Sequence, residues 1–148
     1  MQSHHLDSTR WDNFMIRDDD IIISTGGKSG TTWMQNIVKE ILDSNQPLPD
    51  NYSESVVWFD LRVPPLEVIQ PMLDSFPGRR QIKTHLRIDA LPFHSQAKYI
   101  YVGRDMRDCY MSLVNHYRSG SEAWYAALNE SPGLLVAQCG HDRLLLFL

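Results

Sequence analysis

The sequence predicts an α/β fold: a parallel sheet with flanking helices, carrying a P-loop-like strand–turn–helix phosphate site. Three observations predict it. Ile21–Thr25 is a short β-branched run that ends on Gly26-Gly27 and passes at once into helical periodicity. Such a run, bounded by turn residues, reads as a strand buried on both faces, as in parallel sheets. The same order returns at Lys98–Val102, closed by Gly103 and followed by a second helical stretch. Helical segments alternate with the strand candidates, as connected parallel strands require.

Each element follows from its local pattern. Asp18-Asp19-Asp20, before the first strand, reads as a solvated turn. Trp33, Ile37, Val38, Ile41 and Leu42 recur at helical spacing, so a helix is expected from about Gly30–Thr32 to Ser44-Asn45, ahead of Pro47. The proline-rich stretch 46–65 reads as a long loop in which Val56-Val57-Trp58-Phe59 supplies buried anchors. Leu66, Ile69 and Leu73 share one face of a helix over Pro65–Phe76, which Pro77-Gly78 ends. Arg80–Thr84 is a further strand candidate. Met106, Tyr110, Leu113 and Val114 give the helix Asp105–Arg118, with Asp105 placed to cap it.

Composition narrows the function classes. A chain of 148 residues is one domain of ordinary size. Fourteen Lys and Arg against eighteen Asp and Glu leave a net charge of −4, which argues against a nucleic-acid binder. Hydrophobic residues at 43% and charged residues at 22% match a globular domain and not a disordered one. Two cysteines, Cys109 and Cys139, build no disulfide framework and lack zinc-site spacing. A reducing, cytoplasmic setting is therefore expected. No run of about 18 apolar residues occurs, so no membrane span is expected, and the polar start Met1–Arg10 lacks the apolar stretch of a signal peptide.

The most informative stretch is Ser24-Thr25-Gly26-Gly27-Lys28-Ser29-Gly30-Thr31-Thr32-Trp33. Glycines after a strand let the backbone curl so that successive N–H groups point inward. The helix that follows adds the positive end of its dipole and its unpaired N–H groups. Lys28 adds a full charge, and Ser29, Thr31 and Thr32 add hydroxyl donors. Together these make a cradle for an anion, with phosphate the best match. Gly27-Lys28-Ser29 also fits the end of the Walker A pattern, G-x-x-x-x-G-K-[ST], but the position of its first glycine is Ile22, inside the strand. A small P-loop phosphotransferase using ATP is thus the weaker alternative.

Lys28-Ser29-Gly30-Thr31-Thr32-Trp33 resembles the K-S-G-T-T-W core of cytosolic-type sulfotransferases that use 3′-phosphoadenosine 5′-phosphosulfate (PAPS). Gly26-Gly27 stands where that family usually has Tyr-Pro. Two further segments follow in the family's order. Lys83-Thr84-His85-Leu86 resembles its K-T-H-L-P segment, with Arg87 in place of proline. Tyr101 through Ser112 resembles its 3′-phosphate motif, with Arg104 and Ser112 at the family's separation. The resemblance covers roughly residues 4–132.

It implies transfer of a sulfuryl group from PAPS to a hydroxyl or amine of an acceptor, leaving 3′-phosphoadenosine 5′-phosphate (PAP). His85 is then the general base. Lys28 and Lys83 stabilise charge on the leaving phosphate and on the sulfuryl oxygens. Lys28, Ser29, Gly30, Thr31, Thr32 and Trp33 form the donor cradle, with Trp33 against the adenine. Arg104 and Ser112 hold the 3′-phosphate. No metal is implied, and His94, His116 and His141 are expected in structural or surface roles. Trp58, Phe59, Phe93, Tyr117 and Trp124 suit either an apolar pocket for a phenol or other lipophilic alcohol, or the core.

The resemblance also implies an incomplete domain. The family closes its nucleotide site with a later Arg-Lys-Gly run, which has no counterpart here. Residues 1–132 read as an N-terminal portion of the domain, and 133–148 as an unmatched hydrophobic tail. An inactive PAP- or PAPS-binding remnant is the alternative. Exposed sheet edge in such a portion would favour self-association.

Overall fold

A computed structural model describes residue 3 and residues 5–45 and 47–130. The unmatched tail 133–148, with Cys139 and His141, lies outside the described residues, as does His4. The chain forms strand β1 (Ile21–Thr25), helix α1 (Thr31–Asn45), strand β2 (Val56–Trp58), helix α2 (Leu66–Ser75) and strand β3 (Gln81–Thr84). Strand β4 (Lys98–Val102) and helices α3 (Met106–Arg118) and α4 (Glu122–Glu130) follow. The four strands pair in the order β2-β3-β1-β4, and every pairing is parallel. β1 lies centrally, buried at all five positions, as its three successive isoleucines predict.

One face of the sheet carries the larger core. Ile22, Val57 and Ile82 meet Ile69 and Leu73 of α2 there, with Trp11, Phe14 and Phe59 alongside. The three aromatic rings pack at centroid distances of 4.3–5.6 Å, within the range of favourable edge and offset contacts. The N-terminal segment is tied down by the hydrogen bonds Asp7 N–H to Asp60 O, 2.8 Å, and Arg62 N–H to His5 O, 3.0 Å. On the other face, Ile21 and Ile23 pack with Val38, Met34 and Leu42 of α1 and with Ile100 of β4.

Four expectations are corrected. Val56–Trp58 is a strand and not a loop anchor: it pairs with 81–83 in register, a partnership that three residues cannot signal by period. The stripe that α1 buries is Met34, Val38 and Leu42, while Trp33, Ile37 and Ile41 of the expected face are exposed. β1 and β4 supply the apolar floor beneath that stripe, and β3 meets the helix through a polar contact, Gln81 Nε2 to Gln35 O at 3.2 Å. In Asp18-Asp19-Asp20, the last residue is not solvated. Its carboxylate is fully buried, receives Arg80 Nε at 2.7 Å and Nη2 at 2.5 Å, and also accepts the Arg17 N–H. A buried carboxylate held by a forked guanidinium is the geometry in which such a charge is tolerated. Residues 122–130, to which the sequence assigned no element, form α4. The Asp105 cap is present: its side chain accepts the Arg107 N–H at 2.9 Å.

Candidate active site

The loop between β1 and α1 sets the site. Lys28 has φ 61° and Gly30 has φ 103°. Left-handed residues inside a tight turn reorient successive N–H groups toward one side, the arrangement that favours anions. The Ser29 N–H closes the turn on Gly26 O at 3.1 Å. A Cβ at Gly26 would stand 3.1 Å from Ser29 Oγ, a close contact that a small turn of the hydroxyl relieves. α1 then begins at Thr31, and its first N–H groups and dipole face the same opening. Ile22 is confirmed inside β1, so no longer glycine loop is present.

β1, β3 and β4 end at one side of the sheet and deliver the remaining groups. A cleft of about 590 Å³ opens there, where parallel α/β sheets commonly hold ligands. Lys28, Gly30, Thr31, Thr32 and Trp33 line it from the loop and α1. Lys83 and His85 line it from the end of β3, and Arg104 and Ser112 from β4 and α3. Of the residues assigned to catalysis or to the donor, Ser29 alone does not line the cleft; its hydroxyl lies 3.3 Å from Cys109 Sγ. Trp33 is 80% exposed beside the cleft and is not a core residue. Arg104 donates to Lys28 O at 3.1 Å and pairs with Asp108 at 3.5 Å, which ties β4 to the loop.

The protonation of His85 follows from its partners. Its Nδ1 lies 2.8 Å from Thr25 O and 3.2 Å from Thr25 Oγ1. A carbonyl oxygen only accepts, so Nδ1 carries the proton and Nε2 keeps its lone pair. No hydrogen-bond partner meets Nε2 among the described residues. Burial pushes the imidazole down to about 4, the nearby charges of Lys83, His5 and Lys28 add to this, and the Thr25 carbonyl opposes it. His85 is therefore neutral at physiological pH and able to accept a proton at Nε2. Burial also lowers Lys83, with Lys28 adding to the effect and Asp60 opposing it.

Several site residues were not singled out in the sequence. Asp60, just past β2, is fully buried. Its Oδ2 accepts from His85 N–H at 3.3 Å and from the Trp58 indole at 3.4 Å. Burial raises its carboxyl above the ordinary range, against the hydrogen bonds it receives. His5 and Tyr125 complete the walls of the cleft. Of the aromatic candidates, Trp58, Tyr117 and Trp124 line the cleft. Phe59 is core, and Phe93 is 79% exposed and stacked on Tyr99. His116 lines the cleft as well, lowered by burial and by the charges of Lys28 and Lys83. Among the described residues no group of His, Cys, Asp and Glu is arranged to hold a metal ion, and no helix is long and apolar enough to cross a membrane.

Comparison with known proteins gives this geometry its context. The family model described as "Sulfotransferase domain" matches residues 18–133. A glycolipid sulfotransferase of Mycobacterium tuberculosis is 38% identical over 125 residues, covering 84% of this chain and 38% of that protein. Mouse sulfotransferase 1 family member D1 is 34% identical over 113 residues, covering 72% of this chain and 38% of its own length. A crystal structure of mouse sulfotransferase SULT7A1 complexed with PAP superposes with a TM-score of 0.57 at 28% identity, over 82% of this chain and 43% of that one. The chain thus spans about 38% of the length of each of these two curated relatives.

Proposed function

The chain belongs to the sulfotransferase domain family, and on that premise we propose that it transfers a sulfuryl group from PAPS to a hydroxyl or amine of a small lipophilic acceptor. One observation carries the proposal. A neutral histidine with a free lone pair, two lysines and an anion-cradling helix start face one cleft, which an arginine and a serine also line. Sulfuryl transfer resembles phosphoryl transfer, in which catalysis is mostly positioning and charge stabilisation. Those groups supply both.

Each residue takes a role from its position. His85 Nε2 accepts the acceptor's hydroxyl proton as the new O–S bond forms and the bond from sulfur to the 5′-phosphate oxygen breaks. Lys28 and the N-terminus of α1 neutralise charge on the leaving phosphate. Lys83 faces the sulfuryl oxygens. Arg104 and Ser112 hold the 3′-phosphate, which distinguishes PAPS from ATP-like donors, and Trp33 offers its exposed ring to the adenine. Trp58, Tyr117 and Trp124 give the acceptor an apolar, aromatic wall; the printed name of the mycobacterial relative, a glycolipid sulfotransferase, supports a lipophilic alcohol. The free Cys109 thiol supports a reducing, cytoplasmic setting. Exposed Ile37 and Ile41, with the outer edge of β4, support self-association, which sedimentation velocity tests by whether the chain runs as one copy or two.

A second reading, binding of PAP or PAPS without turnover, is favoured by the exposure of Trp33 and the half-exposed Arg104 side chain. A nucleotide held at so open a site reacts in the presence of water. The two readings separate in one assay: transfer of label from ³⁵S-PAPS to a panel of phenols, sterols and glycolipids. Labelled product that disappears in His85→Ala supports transfer. Saturable PAP binding with no labelled product supports the second reading.

A further inference from the structure

We propose that Asp60 and Trp58 are a positioning pair for the two reactive groups: Asp60 fixes the indole ring, and the ring seats the Lys83 ammonium and the His85 imidazole against the cleft. The proposal rests on the sulfuryl-transfer reading for its catalytic consequence, and on geometry alone for the pair itself.

Register brings the four residues together. Trp58 and Lys83 are direct partners across the parallel β2–β3 pairing. His85 lies two positions past Lys83, and the turn after β2 brings Asp60 back to its backbone N–H. The contacts follow. Lys83 Nζ lies over the Trp58 ring, 4.2 Å from its centroid. The His85 ring meets the same indole edge-on, with centroids 4.6 Å apart and planes at 79°. One indole therefore touches both the proposed charge stabiliser and the proposed base. The ring is anchored by its N–H, which donates to Asp60 Oδ2 at 3.4 Å, and the same oxygen accepts the His85 backbone N–H at 3.3 Å.

The chemistry explains why these types of residue stand here. An ammonium over an indole face is held by the ring's quadrupole without surrendering its donors. The buried Asp60 carboxyl adds negative charge behind the ring, which favours the charged form of a lysine that burial disfavours. The groups around Lys83 are Asp60 after β2, Lys28 in the loop and His85 after β3, with His116 on α3 and His5 of the N-terminal segment beyond. Among the carboxyl groups, Asp60 is the one that acts on Lys83. Neither Asp60 nor Trp58 needs to touch the transferred group; both act through Lys83 and His85.

The test uses the 148-residue chain and two variants. Asp60→Asn keeps the shape and removes the charge. Trp58→Phe keeps an aromatic ring and removes the N–H that anchors it. The structural readout is proton NMR of the Lys83 ε-methylene, which the ring current displaces upfield in the wild type. Both variants are expected to return it toward the position of an exposed lysine. The kinetic readout is expected to be a kcat lowered by about 10- to 100-fold, the scale of a small misplacement of reacting groups, with PAP affinity within about twofold. The alkaline limb of the kcat profile should move to lower pH in Asp60→Asn, a change that loss of packing does not produce. Should Asp60→Asn fail to fold, Trp58→Phe carries the test. An unshifted wild-type Lys83 resonance, or an upfield shift and kcat preserved in both variants, overturns the pair. A wild type with the upfield shift, lost in the variants, but with no transfer leaves the pair standing and overturns the sulfuryl-transfer reading.

Discussion

Lowering the pH should destabilise this fold through His85, by an amount the structure sets. In the folded chain the imidazole is held neutral, at about 4, while in the unfolded chain it titrates at about 6.5. A histidine depressed on folding contributes nothing adverse above the unfolded value. As the pH falls below it, the unfolded state takes up a proton that the folded state refuses, and stability drops until the folded value is passed. Integrating that difference between pH 7 and pH 5 gives a loss of about 2 kcal/mol from this one residue. Urea unfolding of the wild type and of His85→Asn, at both pH values, isolates it, because every other group titrates alike in the two proteins. The wild type should lose about 2 kcal/mol more than the variant. Equal losses would mean that His85 titrates normally, and the argument for a neutral base held by the Thr25 carbonyl would fail.

Other outcomes follow from the same geometry. Replacing Lys28 or Lys83 by Met should lower kcat by about 10²- to 10³-fold, the usual effect of removing one preorganised donor, measured in the labelled-PAPS assay. Arg104→Ala removes charge-assisted hydrogen bonds of about 1.5–3 kcal/mol; calorimetry should show PAP affinity falling by about 10- to 150-fold, with ADP affinity unchanged. Arg80→Leu leaves the Asp20 carboxylate buried without its partner and should cost about 3–5 kcal/mol in urea unfolding.

The sequence made the central strand, the helix after it and the phosphate loop legible because each carries its own local signal. Ile21-Ile22-Ile23 is an apolar β-branched run, the glycines mark the turn, and the residues beyond have helical period. Lys83 and His85 were legible for a related reason, since period two puts both on one side of an extended segment. What stayed hidden depends on partners distant in sequence. β2 is a strand only because β3 lies beside it. Asp20 is buried only because Arg80, sixty residues on, receives it. Asp60 falls in the stretch 46–65, read as a loop; its importance arises from the pairing of Trp58 with Lys83, which no window around residue 60 contains. Ile37 and Ile41 share the helical spacing of the buried stripe, yet they are exposed, because no element of the described residues covers that side of α1.

The central claim is that this chain folds a donor site that selects the 3′-phosphate. A thermal-shift titration with PAP, with ADP as control, tests it most directly. PAP at about 100 times its Kd should stabilise the fold by about 2.7 kcal/mol, a shift absent with ADP and abolished in Arg104→Ala. A cooperative transition that PAP does not move, or that ADP moves equally, would contradict the claim.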